Sequence, residues 1–295
     1  MELNVEIDNH SGFCYGVVRA IEQAEKYLDK NKELNSLGSI VHNSTEIERL
    51  KGKGLKTIDY SQLSELKDKV LFIRAHGEPP SSYKIAKENN LQIIDCTCPV
   101  VLKLQERVKK YYKELKKING QLLIFGKHAH AEVNGLIGQV DGDAIIIEEI
   151  SDLDIVDFSK PVYIFSQTTK NPEEYLEVCE AIKKRIEKVE GPADKFRAFN
   201  TICGQVSSRH SYLKEFSKKH SVIIFVSGKE SSNGKILFEL CRSVNPWSFS
   251  IECKTEIKRE WFSEGDSVGV CGATSTPKWL LEEVAEYLIN LPNGQ

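Results

Sequence analysis

No stretch of the chain is apolar for long enough to approach a membrane span, and the opening MELNVEIDNHSGFCYG lacks the basic start and apolar core of a secretory signal. These absences predict a cytosolic protein that uses no membrane. There is no excess of positive charge. The 40 Lys and Arg are interspersed with 43 Asp and Glu, for a net charge of −3, which gives no support for a nucleic-acid-binding surface. CxxC pairs, Walker loops and GxGxxG turns are also missing, so a close-paired zinc site, an ATP site and a dinucleotide site gain no support. Eight cysteines in 295 residues are too few for a disulfide scaffold, and a reducing compartment keeps them as thiols. The composition, 40% apolar and 28% charged, fits a globular chain with a sizeable core and room for two or three domains.

What is present is a set of short β-type runs that end abruptly in polar tips. They are SIVHN (39–43), VLFIRAHG (70–77), LLIFGKHAH (122–130), VYIFSQTT (162–169), VIIFVSGKESSN (222–233) and SVGVCGATSTP (267–277). Apolar runs with little alternation predict strands buried on both faces, as in parallel sheets. Amphipathic stretches between them, such as VVRAIEQAEKYLDKN, VVLKLQERVKKYYKELKKI, EEYLEVCEAIKKRIEKV and SYLKEFSKKH, predict helices. The alternation predicts an α/β fold, in which ligands gather at the carboxyl ends of the strands, where all six tips fall.

The tips sort into three pairs, each preceded by one cysteine. Cys14 precedes the tips at His42 and His76, Cys98 those at His130 and Thr168, and Cys203 those at Ser231 and Ser275. The gaps to the first tip are 28, 32 and 28 residues. Each of these cysteines stands just before an amphipathic helix, where the helix dipole favours a thiolate. Widely separated single cysteines are more often small buried hydrophobes, and that is the expectation for Cys179, Cys241 and Cys253. Three units around one axis would instead bring three thiolates together. A cubane cluster ordinarily takes four; three leave one iron open to a substrate oxygen. His42, His76 and His130, the Ser-Ser-Asn tip (231–233) and Ser275 are suitable donors to a phosphate or diphosphate. Glu132, two residues beyond His130, is a candidate general acid if burial raises its pKa, and otherwise a solvated loop carboxylate.

In order and spacing, GFCYGVVRAI, VHN, AHG, TCP, HAEVNG, QTT, TIC, SSN and GATSTPKWL resemble the 4-hydroxy-3-methylbut-2-enyl diphosphate reductase family, from about Cys14 to Trp279. The resemblance implies three α/β domains with mainly parallel sheets, in pseudo-threefold arrangement around a central iron–sulfur cluster, here over 1–97, 98–199 and 200–295. It implies Cys14, Cys98 and Cys203 as ligands of one [4Fe-4S] cluster with an open apical iron, isolated as [3Fe-4S] when that iron is lost. His42, His76, His130, Ser231, Ser232, Asn233 and Ser275 would bind the diphosphate. Glu132 would deliver a proton, with Thr168, favoured over Thr169, beside the substrate hydroxyl. Implied too are reductive removal of an allylic hydroxyl in isoprenoid synthesis and a ferredoxin or flavodoxin as electron donor; a monomer is expected. Cys96 and Cys271 depart from the usual pattern; neither is expected to ligate, and the two either affect oxygen sensitivity or simply pack. The contacts of Val206 and Ser207, in GQVSSR, are not carried over. Two other classes compete: a non-enzymatic iron or redox sensor, and a zinc hydrolase using His42, His76 and His130.

Overall fold

A computed structural model describes residues 2–189 and 196–291. The strands are β1 (Asn4–Ile7), β2 (Leu34–Leu37), β3 (Leu55–Ile58), β4 (Val70–Ile73), β5 (Gln92–Asp95), β6 (Gln121–Phe125), β7 (Ile145–Ile147), β8 (Val162–Ser166), β9 (Phe196–Phe199), β10 (Val222–Val226), β11 (Ser248–Ile251) and β12 (Ser267–Gly272). The helices are α1 (Tyr15–Leu28), α2 (Ser44–Gly52), α3 (Tyr60–Glu65), α4 (Pro80–Glu88), α5 (Pro99–Lys116), α6 (Ala131–Gly138), α7 (Pro172–Lys188), α8 (Gly204–Lys219), α9 (Ser232–Val244) and α10 (Lys278–Ile289).

The strands form three four-stranded sheets, ordered β1-β12-β10-β11, β3-β2-β4-β5 and β7-β6-β8-β9. Every pairing with a described register is parallel. The expected α/β class with parallel sheets is therefore present. The lack of alternation in the central runs has a direct cause. In β10, Val222, Ile224 and Val226 pack with Leu280, Leu281, Val284 and Leu288 of α10. Ile223 and Phe225 point the other way, into Leu213 and Phe216 of α8 and Leu237 of α9. Both faces are covered, so each position is apolar, and each such side chain contributes about 1.5–3 kcal/mol of burial.

Two features differ from the expectation. SIVHN is not a strand: β2 lies a few residues earlier, at Leu34–Leu37, and 39–43 is the loop that follows. Gly38, with φ of 71°, ends the strand, and a Cβ there would run into the Arg74 guanidinium. One strand, β1, also lies outside the sheet of its expected span, and the strand pairing joins the cysteines to tips other than the ones they precede. The strand before each cysteine pairs with the strand of the preceding tips. Thus β5, before Cys98, pairs with β4, and β9, before Cys203, pairs with β8. β1, before Cys14, pairs with β12. The first sheet therefore combines Asn4–Ile7 with strands from beyond residue 220.

The chain divides into two compact units, one of Met1–Leu34, Ser39–Thr57 and Gly204–Gln295, the other of Asn35–Gly38 and Ile58–Cys203.

Candidate active site

The three cysteines occupy equivalent local positions. Cys14 and Cys98 are the N-cap residues of α1 and α5, and Cys203 immediately precedes α8. Pro99 takes the first helical position after Cys98, where its missing N–H costs nothing. Each cysteine N–H donates to the carbonyl oxygen of the residue two beyond a strand end. Cys14 donates to Thr274 at 3.2 Å, Cys98 to Ala75 at 3.0 Å and Cys203 to Thr168 at 2.9 Å. The same bond, made three times, sets each thiol beside one polar tip. All three residues are partly exposed.

The tips repeat as well. Asn43, His130 and Ser231 are N-caps of α2, α6 and α9, and each accepts a backbone N–H with its side chain: Glu46, Glu132 and Gly234 are the donors. The second tips align by strand end. Ala75, Thr168 and Thr274 are equivalent, and so are His76, Thr169 and Ser275. Thr168 is thus one position out of register with His76 and Ser275, with which the sequence pairing groups it.

In the unit that holds Cys98 and Cys203, the ring of His76 meets that of His130 edge to face, with centroids 5.3 Å apart. His130 Nδ1 accepts the Glu132 N–H at 3.2 Å. Glu132 is 2% exposed. Its Oε1 accepts the Thr168 N–H and its Oε2 the Thr168 hydroxyl, both at 2.7 Å. Burial outweighs these two bonds and raises the carboxyl to about 7. The solvated-loop alternative for Glu132 is thereby removed. Thr169 is otherwise engaged, accepting from Gln167 Nε2 at 2.9 Å. Behind His76 lies a buried polar group that the sequence reasoning missed. Glu78 accepts the Tyr60 hydroxyl at 2.7 Å and lies 3.8 Å from Arg74. Burial pushes its carboxyl up. Arg74 and Glu78 flank His76 at two residues on either side in IRAHGEPP, which was the available signal.

In the other unit, Ser231 and Ser275 hydroxyls lie 3.2 Å apart, and Asn233 Oδ1 accepts the Thr274 N–H at 3.1 Å and hydroxyl at 2.8 Å. Asn233 Nδ2 is buried without a hydrogen-bond partner. A buried orphan donor is costly unless a ligand completes it, and a phosphate oxygen is a fitting acceptor. Ser232 opens α9 and is half-buried. His42 precedes the α2 cap. Glu46 in α2 takes both Arg49 Nε and Nη2, at 2.8 and 2.6 Å, and the Trp279 indole N–H at 3.1 Å. Gly228 abuts the His42 carbonyl, and a Cβ there would collide with it. Gly228→Ala is therefore expected to displace His42 and, if His42 binds the diphosphate as the resemblance implies, to lower kcat/KM roughly 10- to 100-fold. Steady-state kinetics beside an unchanged iron content would check this.

The remaining cysteines hold other positions. Cys96, Cys179, Cys241 and Cys271 are buried, and burial pushes the Cys271 thiol well above the usual range. Cys253 corrects the expectation of a buried thiol. It precedes a short 3-10 turn, partly exposed, with its sulfur 2.9 Å from the Thr255 hydroxyl. Among the described residues, no helix is long and apolar enough to cross a membrane.

Comparison with known proteins identifies the surroundings in which this arrangement occurs. Residues 5–289 match the family model described as LytB protein. A protein of Parabacteroides distasonis, named 4-hydroxy-3-methylbut-2-enyl diphosphate reductase, is 52% identical over 283 residues, 96% of each chain. One of Bacteroides fragilis with the same name is 51% identical over 286 residues, 97% of each. The solved E-1-hydroxy-2-methyl-but-2-enyl-4-diphosphate reductase of Plasmodium falciparum superposes with a TM-score of 0.85 at 26% identity, covering 99% of this chain and 89% of that one. The solved (E)-4-hydroxy-3-methyl-but-2-enyl diphosphate reductase described as the terminal enzyme of the non-mevalonate pathway gives a TM-score of 0.70 at 31% identity, covering 98% of this chain and 99% of that one. With strand-end cysteines and tips repeated three times, and a match running almost from end to end, the chain belongs to the LytB protein family.

Proposed function

We infer that the chain is a 4-hydroxy-3-methylbut-2-enyl diphosphate reductase. It removes the allylic hydroxyl of (E)-4-hydroxy-3-methylbut-2-enyl diphosphate with two electrons and two protons, giving isopentenyl and dimethylallyl diphosphate. The observation that carries this reading is Glu132, a buried carboxyl raised to about 7 and fixed by Thr168. That is the pKa a proton donor to a departing oxygen needs near neutral pH.

The cysteine set fits an iron–sulfur cluster with three protein ligands. Cys14, Cys98 and Cys203 share one local geometry, each partly exposed before a helix, and none of the other five cysteines has it. A [4Fe-4S] cluster held by these three thiolates would supply the electrons and an open Lewis-acidic iron for the hydroxyl oxygen, and would be isolated as [3Fe-4S] if that iron were lost.

The chain's own residues do the rest. Glu132 protonates the departing oxygen, so that water leaves. The Thr168 hydroxyl, bonded to Glu132, orients that proton toward the substrate hydroxyl. His42, His76, His130, Ser231, Ser232, Asn233 and Ser275 bind the diphosphate. By anchoring it, they fix which carbon reacts and prevent diphosphate loss from an activated allyl group. Asn233 Nδ2 gains the acceptor that it lacks. A small ferredoxin or flavodoxin serves as electron donor, and the enzyme works as a cytoplasmic monomer.

The test is anaerobic purification with iron and sulfide counts, an absorption spectrum and turnover on the allylic diphosphate with a chemical reductant. A brown, air-bleached protein that forms both products is expected. A colourless zinc protein with full activity would overturn the reading.

A further inference from the structure

One face of α8 grips the loop that carries Cys14. Gln205 Oε1 accepts the Tyr15 N–H at 3.3 Å. Arg209 Nη1 donates to the Gly12 carbonyl at 3.0 Å, and Nη2 donates to the His10 carbonyl. The His10 ring stacks on Tyr212, with centroids 3.9 Å apart and planes within 6°. Positions 205, 209 and 212 fall on one helical stripe, so residues 10–15 are held at three successive points. Gly12, with φ of 113°, makes the turn that presents both carbonyls to the same guanidinium. Cys14 and Arg209 line one cleft of about 310 Å³ together with His10, Tyr15, Gln205 and Tyr212.

Arg209 is only 8% exposed, and among the described residues no carboxylate forms an ion pair with it. Burial pulls its guanidinium below the usual arginine range, and the groups that offset this are Asp8, Cys14 and Cys271. Asp8 is engaged by the Ser11 hydroxyl at 2.7 Å and the His10 N–H at 3.1 Å. Cys271 is a fully buried thiol that burial keeps neutral. A buried cation without an ion-pair partner is costly unless an anionic group is bound near it, and the cleft that Arg209 lines is the one that Cys14 lines.

We propose that Arg209 is a positioning residue for Cys14. It fixes the Cys14 loop through two carbonyls and stands as a permanent positive charge beside an iron–sulfur cluster carried by that cysteine. A fixed cation near a cluster stabilises its more negative, reduced form and so raises its potential. This rests on the cluster reading above. Arg209 acts through the cysteine, by the loop carbonyls of His10 and Gly12.

Full-length wild type, Arg209→Lys and Arg209→Gln, reconstituted anaerobically, test the proposal. The readouts are iron and sulfide per chain after gel filtration, far-UV circular dichroism, and the cluster midpoint potential from an EPR-monitored titration. Arg209→Gln is expected to shift the midpoint to more negative potential, while Arg209→Lys keeps it near wild type. Both are expected to retain less iron, because neither side chain spans two carbonyls as the planar fork does. A folded Arg209→Gln protein with the wild-type potential overturns the proposal. If Arg209→Gln fails to fold, Arg209→Lys decides: reduced iron retention supports the clamp, and wild-type retention overturns it. Wild type without iron and sulfide would instead sink the cluster reading itself, a result distinct from a normal cluster that ignores Arg209.

Discussion

Glu132→Gln is expected to leave the cluster and diphosphate binding intact while lowering kcat roughly 10²- to 10⁴-fold. The amide fits the site, since its carbonyl can still accept the Thr168 N–H that Glu132 Oε1 now takes. It carries no proton to give. Single-turnover kinetics beside an unchanged inhibition constant for inorganic diphosphate would separate chemistry from binding; near-normal turnover would remove Glu132 from its role. The wild-type profile follows from the same carboxyl. Because the acid form is required, kcat should hold below pH 7 and fall as pH rises through about 7. Stability has the same sign. Between pH 4.5 and about 7 the folded chain keeps a proton that the unfolded chain has released, so stability falls as pH rises across that window and levels off above it. The shift corresponds to roughly 3 kcal/mol at the usual conversion per pKa unit. Glu132→Gln should therefore melt higher than wild type at pH 8 and lose the advantage at pH 4. The burial that suits Glu132 to the proposed proton delivery also makes the fold weaker above neutral pH.

The second large effect separates two cysteines only two residues apart. Cys98→Ser is expected to abolish assembly of the normal cluster, whereas Cys96→Ala should keep full iron and sulfide and cost about 1 kcal/mol of stability. Cys98 caps α5 with its N–H bonded to Ala75; Cys96 is 1% exposed, with its N–H donated to the Ile73 carbonyl at 2.8 Å. Equal loss of iron in both variants would show that the DCTCP segment acts as a pair, and the threefold equivalence of Cys14, Cys98 and Cys203 would then not govern ligation.

Much of this site was legible because buried parallel strands leave a strong imprint. Both faces of β6, β8, β10 and β12 are covered, so their runs are nearly all apolar and their polar ends stand out. The outer strands were not legible. β1, β5 and β9 are four residues each with half-exposed patterns such as NVEI and QIID, too short and mixed to be told from loop. Missing them hid which tips each cysteine joins, because that is decided by strand pairing. His42 was found through its motif although the strand assigned to it was misplaced; Gly38 ends β2 earlier than apolar character suggests. Arg209 and Gly228 were invisible for another reason. Each acts on backbone or side chains distant in sequence, and no local spacing encodes that.

The pairing of Asn4–Ile7 with Ser267–Gly272 has a consequence for synthesis. The strand that leads to Cys14 leaves the ribosome well before the rest of its sheet: its hydrogen-bonding partner and the Thr274 carbonyl that seats the Cys14 N–H are made some 260 residues later. The other two cysteines meet their acceptors, Ala75 and Thr168, across short and already completed stretches. During translation at the usual 5–20 residues per second, the chain thus carries two seated thiols and one unseated for many seconds. If Cys14 is a ligand of the proposed cluster, its assembly waits for the last strand, and a nascent chain stalled before residue 267 should hold no stable metal centre.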